Sequence, residues 1–244
     1  IMEKLNDVLG YDLKIYQNDE WFCFSLDSVL LANFPKIKSK TKKILDLGTG
    51  NAVIPLVLSL RTKASIYGVD IQPDIIEMAN KSIEYNNLQS QVKLEACDMK
   101  SLLLRKNEYN TYDLILSNPP YFNNLELSTK NDDIHKTIAR HEVMIKLSDI
   151  INVASKLLKE GGTFALIHRT DRLVEIINCM QEYNIEPKLI KFVYKNMNSC
   201  SEMFYIEGIK NGSKGLKIAK PFVLYEVDGT KTFDYEQLCK EVYL

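Results

Sequence analysis

The sequence predicts an α/β fold in which a mostly parallel sheet is sandwiched between helices, and three observations predict it. Apolar runs of strand length alternate with stretches of helical periodicity from about Lys43 to Lys210. The first run leads into "GTG", Gly48 to Gly50, a turn placed after a strand and before a helix. The last two runs, Leu189 to Tyr194 and Met203 to Ile209, have no helix between them, and consecutive strands joined by a loop pair antiparallel. Ligands of such sheets bind beyond the carboxyl ends of the strands, so motifs that carry chemistry are expected there.

In chain order, Lys43 to Leu47 reads as a strand, 53 to 61 as a helix and Ser65 to Val69 as a second strand. Pro73 suits the first turn of the next helix, which carries Ile75, Ile76, Met78, Ala79 and Ile83 on one side. Val92 to Ala96, Tyr112 to Leu116 and Thr163 to Ile167 read as further strands. A helix from about Leu147 to Lys159 is expected to stop at Gly161-Gly162, and another to run from Asp171 to Tyr183. Before these elements, an extended Tyr11 to Tyr16, a Trp21-Phe22-Cys23-Phe24 cluster and an amphipathic Leu26 to Phe34 suggest a small cap. The expected division is a cap over 1–42, a main domain over 43–220, and a tail over 221–244 packed on that domain.

The chain of 244 residues, 45% hydrophobic, is long enough to bury a substantial core unaided. Its net charge of −1 provides no global basic field, so a nucleic-acid partner would be met by local patches. Two exist: Lys36-Ile37-Lys38-Ser39-Lys40-Thr41-Lys42-Lys43, and seven lysines against three glutamates between Glu186 and Lys220. Both read equally as solvated faces. Five scattered cysteines without a CxxC pair fit reduced thiols in a cytoplasmic protein, and His135, His141 and His168 show no spacing that converges on a metal. No metal is expected. No apolar run approaches the roughly 20 residues that span a bilayer, so no membrane partner is expected either.

The glycine turn departs from the dinucleotide fingerprint, because Val53 stands where a third glycine would be. Phosphate binding needs bare backbone at a helix N-terminus, whereas two glycines suffice for close approach to a ligand without phosphate. Three acids accompany the turn. Asp46 precedes it, Asp70 ends the second strand, and Asp98 follows the third. Asp70 is placed to bind both hydroxyls of a ribose; Asp98 to accept from an adenine amino group, between Met99 and Ile71; Asp46 to answer an ammonium. Singly, Asp70 or Asp98 also reads as a helix N-cap, with the lesser weight. Together they describe a ligand with ribose, adenine and an amino-acid moiety but no phosphate, which is S-adenosyl-L-methionine.

From Lys43 to about Ile209 the chain resembles the class I S-adenosylmethionine-dependent methyltransferases. Asp46, Gly48 and Gly50 match that family's first motif, Asp70 its second, Asp98 its third and Asn118-Pro119-Pro120-Tyr121 its fourth. The resemblance implies a Rossmann-like, seven-stranded, mostly parallel sheet with an antiparallel last strand and helices on both faces. It also extends the cofactor contacts to Thr49, Asn51 and Asn118. The fourth motif marks enzymes that methylate a planar nitrogen.

The chemistry explains the motif. An exocyclic amine on adenine is a poor nucleophile because its lone pair is spread into the ring, and attack requires a more tetrahedral nitrogen. Two acceptors aimed at its hydrogens favour that geometry and stabilise the charge that develops. Asn118 can supply a side-chain oxygen and Pro119 its carbonyl; Pro120 has no N–H to confuse the pattern, and the double proline pre-orders the loop. Tyr121 is expected to stack on the base, worth about 1–3 kcal/mol, with Phe122 beside it. No general base is required, so neither His135 nor His141 is cast as one.

Several stretches narrow the resemblance. "FSLDSVLLANF" at Phe24 to Phe34, "NPPYF", "ARHEVM", "FALIHRTDRLVEII" and "EPKLIKFVY" together resemble the bacterial tRNA adenine-N6 methyltransferases that act on the adenine 3′ of the anticodon in valine tRNA. This implies a tRNA partner and puts Ser25 and Asp27 near the methionine end of the cofactor; a monomer is expected. The long polar stretch from Asn123 to Met144 contains Arg140 and His141; Arg140 could meet a phosphate or pair with Glu142. Arg169 reads either as structural or as facing nucleic acid. The rival readings are a guanine-N2 rRNA methyltransferase, a release-factor glutamine methyltransferase, and a cofactor-binding partner subunit without activity. The lysine runs acquire a second reading, as contacts to tRNA phosphates around the pocket.

Overall fold

The computed structural model describes residues 3–9, 11–18, 26–121 and 146–240. The Trp21 to Phe24 cluster, Ser25, Phe122, Arg140 and His141 therefore lie outside the described residues. In chain order the strands are β1 (Glu3–Asp7), β2 (Lys14–Asn18), β3 (Lys43–Leu47), β4 (Ser65–Asp70), β5 (Val92–Ala96), β6 (Tyr112–Ser117), β7 (Leu158–Arg169), β8 (Ile185–Tyr194), β9 (Met203–Lys210), β10 (Lys217–Ile218) and β11 (Phe222–Val223). The α-helices are α1 (Leu26–Asn33), α2 (Val53–Arg61), α3 (Pro73–Tyr85), α4 (Leu147–Leu157), α5 (Leu173–Glu182) and α6 (Phe233–Lys240).

Seven long strands form the central sheet in the order β5-β4-β3-β6-β7-β9-β8, with β9 antiparallel to both neighbours and the other pairings parallel. The expected strand count needs correction, because the two-residue strands β10 and β11 both pair with β8 and make the sheet nine-stranded. They are too short to show a periodicity of their own and depend on the exposed edge of β8.

Both faces of the sheet are covered, which explains why its strands read as continuous apolar runs rather than alternating ones. Ile44, Leu114, Leu116, Ala165 and Ile167 point into one layer, with α1, α2 and α3. Leu45, Leu47, Ile115, Phe164 and Leu166 point into the other, with α4 and α5. Each fully buried aliphatic of this size stabilises the fold by about 1.5–3 kcal/mol relative to exposure.

Two boundaries differ from expectation. The Gly161-Gly162 pair does not stop α4; the helix ends at Leu157 and β7 starts at Leu158, which pairs with Tyr112. The pair instead shapes the entry of β7. Gly161 has φ +71°, and a Cβ on Gly162 would lie 2.9 Å from the Lys159 carbonyl and 3.2 Å from that of Tyr112. Strand β8 begins four residues early, at Ile185, with a register shift between Pro187 and Leu189 where the missing proline N–H is tolerated.

The N-terminal hairpin of β1 and β2 is held against α3 by side chains: Lys14 N–H donates to Asn86 Oδ1 at 3.0 Å, and Tyr16 N–H to Ser82 Oγ at 2.9 Å. The tail returns to it, with Leu238 buried and its carbonyl accepting from the Tyr11 hydroxyl at 2.9 Å. The lysines at 36–43 lead into the amino end of β3, where Lys36, Lys38, Lys40 and Lys159 line a cleft of about 210 Å³. That is the rim opposite the glycine turn. The expectation that this run surrounds the pocket is therefore corrected; strand direction separates the two. No helix among the described residues is long and apolar enough to cross a membrane.

Candidate active site

The carboxyl ends of β3, β4, β5 and β6 gather Asp46, Asp70, Asp98 and Asn118 along one rim. Beyond β3 the chain turns through Gly48 (φ +75°), Gly50 (φ +53°) and Ala52 (φ +64°) before entering α2. Gly48 and Thr49 N–H both donate to the Val69 carbonyl at 2.9 Å, and Gly50 N–H donates to Asp70 Oδ2 at 3.0 Å. A Cβ on either glycine would face open space, so the turn presents bare backbone to whatever lies above it. Sequence reasoning missed Gly68 in β4, where a Cβ would lie 2.8 Å from both Thr49 Oγ1 and Leu94 Cδ2. A glycine interrupting a buried strand was the available signal of such close approach.

Asp46 is fully buried, and neither of its carboxylate oxygens has a hydrogen-bond partner. Burial pushes its pKa up to about 7, with the charge of Asp70 adding to the effect; the nearby Thr49 hydroxyl pulls the other way, although it makes no hydrogen bond of ordinary geometry. Thr49 Oγ1 and Asn51 Nδ2 are likewise buried without partners. Orphaned polar atoms cost about 1–3 kcal/mol each, so this cluster around a glycine turn marks a place built for a polar ligand.

Asp70 closes the turn, its other oxygen accepting from Gln72 N–H at 3.1 Å. Asp98 caps a 3-10 helix over Met99–Leu104 by accepting from Lys100 N–H at 2.9 Å, so the capping reading describes its present bond. Met99 is buried, and Ile71 is partly exposed beside Asp70.

Asn118 follows Ser117, whose hydroxyl donates to the Leu47 carbonyl at 2.8 Å and locks the end of β6 to β3. The Asn118 amide lies between two elements: its Nδ2 is 3.0 Å from Ser28 Oγ, and its Oδ1 is 2.9 Å from the Tyr121 hydroxyl. That hydroxyl also donates to Asp27 Oδ2 at 2.8 Å. Pro119 is buried and Pro120 exposed.

Asp27, expected near the methionine end of the cofactor, accepts this bond from the Asn-Pro-Pro-Tyr loop. Tyr121, expected to stack on a base, has its hydroxyl tied inward and its ring edge-on to His168, with centroids 5.0 Å apart. His168, at the end of β7, was not anticipated as part of the site. It is 2% exposed; burial, and then Arg172, lower its pKa to about 4, and its Nδ1 accepts from Arg169 N–H at 2.8 Å, so the neutral ring carries its proton on Nε2. Arg169 itself lies 3.6 Å from Asp171.

The S-adenosyl-L-methionine implied by the resemblance fits these residues. Its ammonium matches the orphaned acceptors of Asp46, its carboxylate suits a donor such as Asn51 Nδ2, and its ribose hydroxyls match the remaining lone pairs of Asp70. Among the described residues no three His, Cys, Asp or Glu side chains converge on a metal position.

A curated tRNA1(Val) (adenine(37)-N6)-methyltransferase from Parabacteroides distasonis is 30% identical over 161 residues, covering 66% of this chain and 65% of that protein. The match thus spans slightly less than two thirds of that relative's length. In fold, the chain is similar to the crystal structure of a predicted O-methyltransferase from Agrobacterium tumefaciens, with TM-score 0.66 and 16% identity over 89% of this chain and 97% of that one. It is also similar to the 16S rRNA N2 G1207 methyltransferase of T. Thermophilus, in complex with AdoMet and guanosine, with TM-score 0.58 and 18% identity over 86% of this chain and 50% of that one. At those identities the likeness speaks for the fold alone. The family model described as "Methyltransferase domain" matches residues 38–220, three quarters of the chain, and takes in the whole rim from the glycine turn to Asn118. This chain belongs to the methyltransferase domain family.

Proposed function

We propose that the protein transfers a methyl group from S-adenosyl-L-methionine to N6 of an adenine in tRNA, adenine-37 beside the anticodon of valine tRNA. The observation that carries the reading is the position of Asn118, at the carboxyl end of β6 on the rim that also holds the orphaned Asp46, with its side chain held from two sides. The name borne by the Parabacteroides relative supports the choice of adenine in tRNA.

When bound, S-adenosyl-L-methionine supplies an activated methyl on a sulfonium. Asp46, once ionised, neutralises the amino-acid cation, and Asp70 orients the ribose. The Asn118 amide oxygen and the Pro119 carbonyl accept the two hydrogens of the target amine, which favours a tetrahedral nitrogen with its lone pair directed at the methyl. The positive charge that develops on that nitrogen meets these acceptors in a loop already ordered by two prolines, so little is reorganised. Water takes the proton that the methylated nitrogen releases.

Labelled S-adenosyl-L-methionine offered separately with bulk tRNA, rRNA, DNA and a release factor tests the reading. Nucleoside mass spectrometry is expected to find N6-methyladenosine in tRNA only. Label in N2-methylguanosine would replace the adenine assignment with the guanine one, and label in the release factor would overturn a nucleic-acid substrate altogether.

A further inference from the structure

We propose that Asp27, on the first turn of α1, is a positioning residue for methyl transfer: through the Tyr121 hydroxyl it orients the Asn118 amide and supplies the negative charge that an asparagine lacks. The inference rests on Asn118 being the acceptor for the target amine, and it gives Asp27 a role other than holding the cofactor.

The warrant is the inventory of protons. The Tyr121 hydroxyl carries one hydrogen and has two neighbours, Asp27 Oδ2 at 2.8 Å and the Asn118 amide at 2.9 Å. A carboxylate is the stronger acceptor, so the hydrogen goes to Asp27. The phenol oxygen then has only a lone pair to offer Asn118. A half-turn of the amide answers this: Asn118 N–H donates to the Tyr121 oxygen, and the Ser28 hydroxyl, 3.0 Å from the other end, donates to the amide oxygen. The amide oxygen keeps one lone pair for the incoming amine. The chain from Asn118 N–H through Tyr121 O–H to the Asp27 carboxylate runs in one direction, and such chains strengthen each member by polarisation. An amide whose N–H is pulled toward an anion has a more basic oxygen.

Asp27 is only 9% exposed, a costly place for a carboxylate unless a donor meets it. Burial, followed by the Asp27 charge, raises the Tyr121 pKa far above the usual phenol value, so the hydroxyl stays protonated and remains a donor. Asp27 and Ser28 are adjacent on α1, yet they grip opposite sides of one arrangement about 90 residues away in the chain. His168 packs against the edge of the Tyr121 ring and limits its rotation.

The two bonds put the Asp27 oxygen within about 6 Å of the Asn118 amide. Losing the charge-assisted bond at the end of this chain, and with it the hold on the amide that accepts the amine, corresponds to roughly 20-fold in rate, an effect carried through the Tyr121 hydroxyl and absent once that hydroxyl is removed.

The test is a double-mutant cycle of Asp27→Asn and Tyr121→Phe on the full chain, read in two ways. In turnover on bulk tRNA, Asp27→Asn is expected to lower kcat roughly 20-fold while leaving the KM for S-adenosyl-L-methionine within about twofold, and to add little in the Tyr121→Phe background. Asp27→Glu should recover part of the loss. In 15N spectra of the protein alone, the Asn118 side-chain amide resonance, assigned by its loss in Asn118→Ala, is expected to shift in either single variant and no further in the double. Additive losses, a KM that rises as kcat falls, or an Asn118 resonance indifferent to Asp27 would each overturn the proposal. The resonance requires no turnover, so a wild-type protein inactive on tRNA would sink the proposed function while leaving this inference to stand or fall on the spectra.

Discussion

Replacing Asp46 with Asn should change how stability and cofactor affinity respond to pH, and the sign follows from its burial. The folded chain holds the Asp46 proton up to about pH 7, whereas the unfolded carboxyl loses it near 3.8. Between those values the native state binds the extra proton, so stability falls as pH rises. With these two pKa values, about 2–3 kcal/mol is lost between pH 5 and pH 8 from this one group. A bound ammonium reverses the balance by favouring the ionised form. Affinity for S-adenosyl-L-methionine is therefore expected to rise close to tenfold per unit up to about pH 7, then to level off and fall as the ligand's own amino group deprotonates near pH 8. Urea denaturation of wild type and Asp46→Asn at pH 5 and pH 8 isolates the first effect as a difference of differences, and calorimetric titration from pH 5.5 to 8 measures the second. The asparagine variant should lose both slopes. Identical pH dependence in the two proteins would show that Asp46 is ionised throughout, and would refute the argument that its burial holds the proton.

Three further expectations follow from the same geometry. Asn118→Ala should lower turnover by about 100-fold or more with cofactor affinity nearly intact, measured by single turnover and by calorimetry; equal loss in both would assign Asn118 to the cofactor alone. Gly68→Ala places a methyl group 2.8 Å from Thr49 Oγ1 and Leu94 Cδ2, and should cost about 1–3 kcal/mol in urea unfolding and weaken cofactor binding; an unchanged midpoint would show that the turn yields at no cost. Affinity for tRNA should fall steeply between about 50 and 200 mM salt, yet Ala substitutions at Lys36, Lys38 and Lys40 should leave the slope of log affinity against log salt unchanged, because these lysines occupy the rim away from Asn118.

How much was legible in the sequence follows from the range of the forces involved. The buried strands, and the helices between them, announce themselves through local periodicity, and the positions of Asp46, Asp70 and Asn118 follow from strand ends that can be counted along the chain. The nine-stranded edge was not legible, because β10 and β11 have two residues each and take their conformation from β8. The Gly161-Gly162 pair misled for a related reason. A glycine that ends a helix and a glycine that lets a strand enter past Lys159 and Tyr112 look the same one-dimensionally; only the buried pairing of Leu158 with Tyr112 distinguishes them.

The same limit explains why the bond between Asp27 and Tyr121 was not anticipated. An acid in the first turn of a helix is favoured by the helix dipole wherever that helix sits, so "SLDSVLL" gives no hint of a second partner. The partner is Tyr121, which the motif alone casts as a stacking ring. What joins them is the packing of α1 beside the ends of β7 and β9, with Phe34, just past the helix, against Tyr205 of β9 at 5.4 Å and His168 of β7 against the Tyr121 ring. If that packing sets the orientation of Asn118, the Asn-Pro-Pro-Tyr loop is incomplete without α1, and its chemistry depends on a hydrogen bond made by a residue outside the motif.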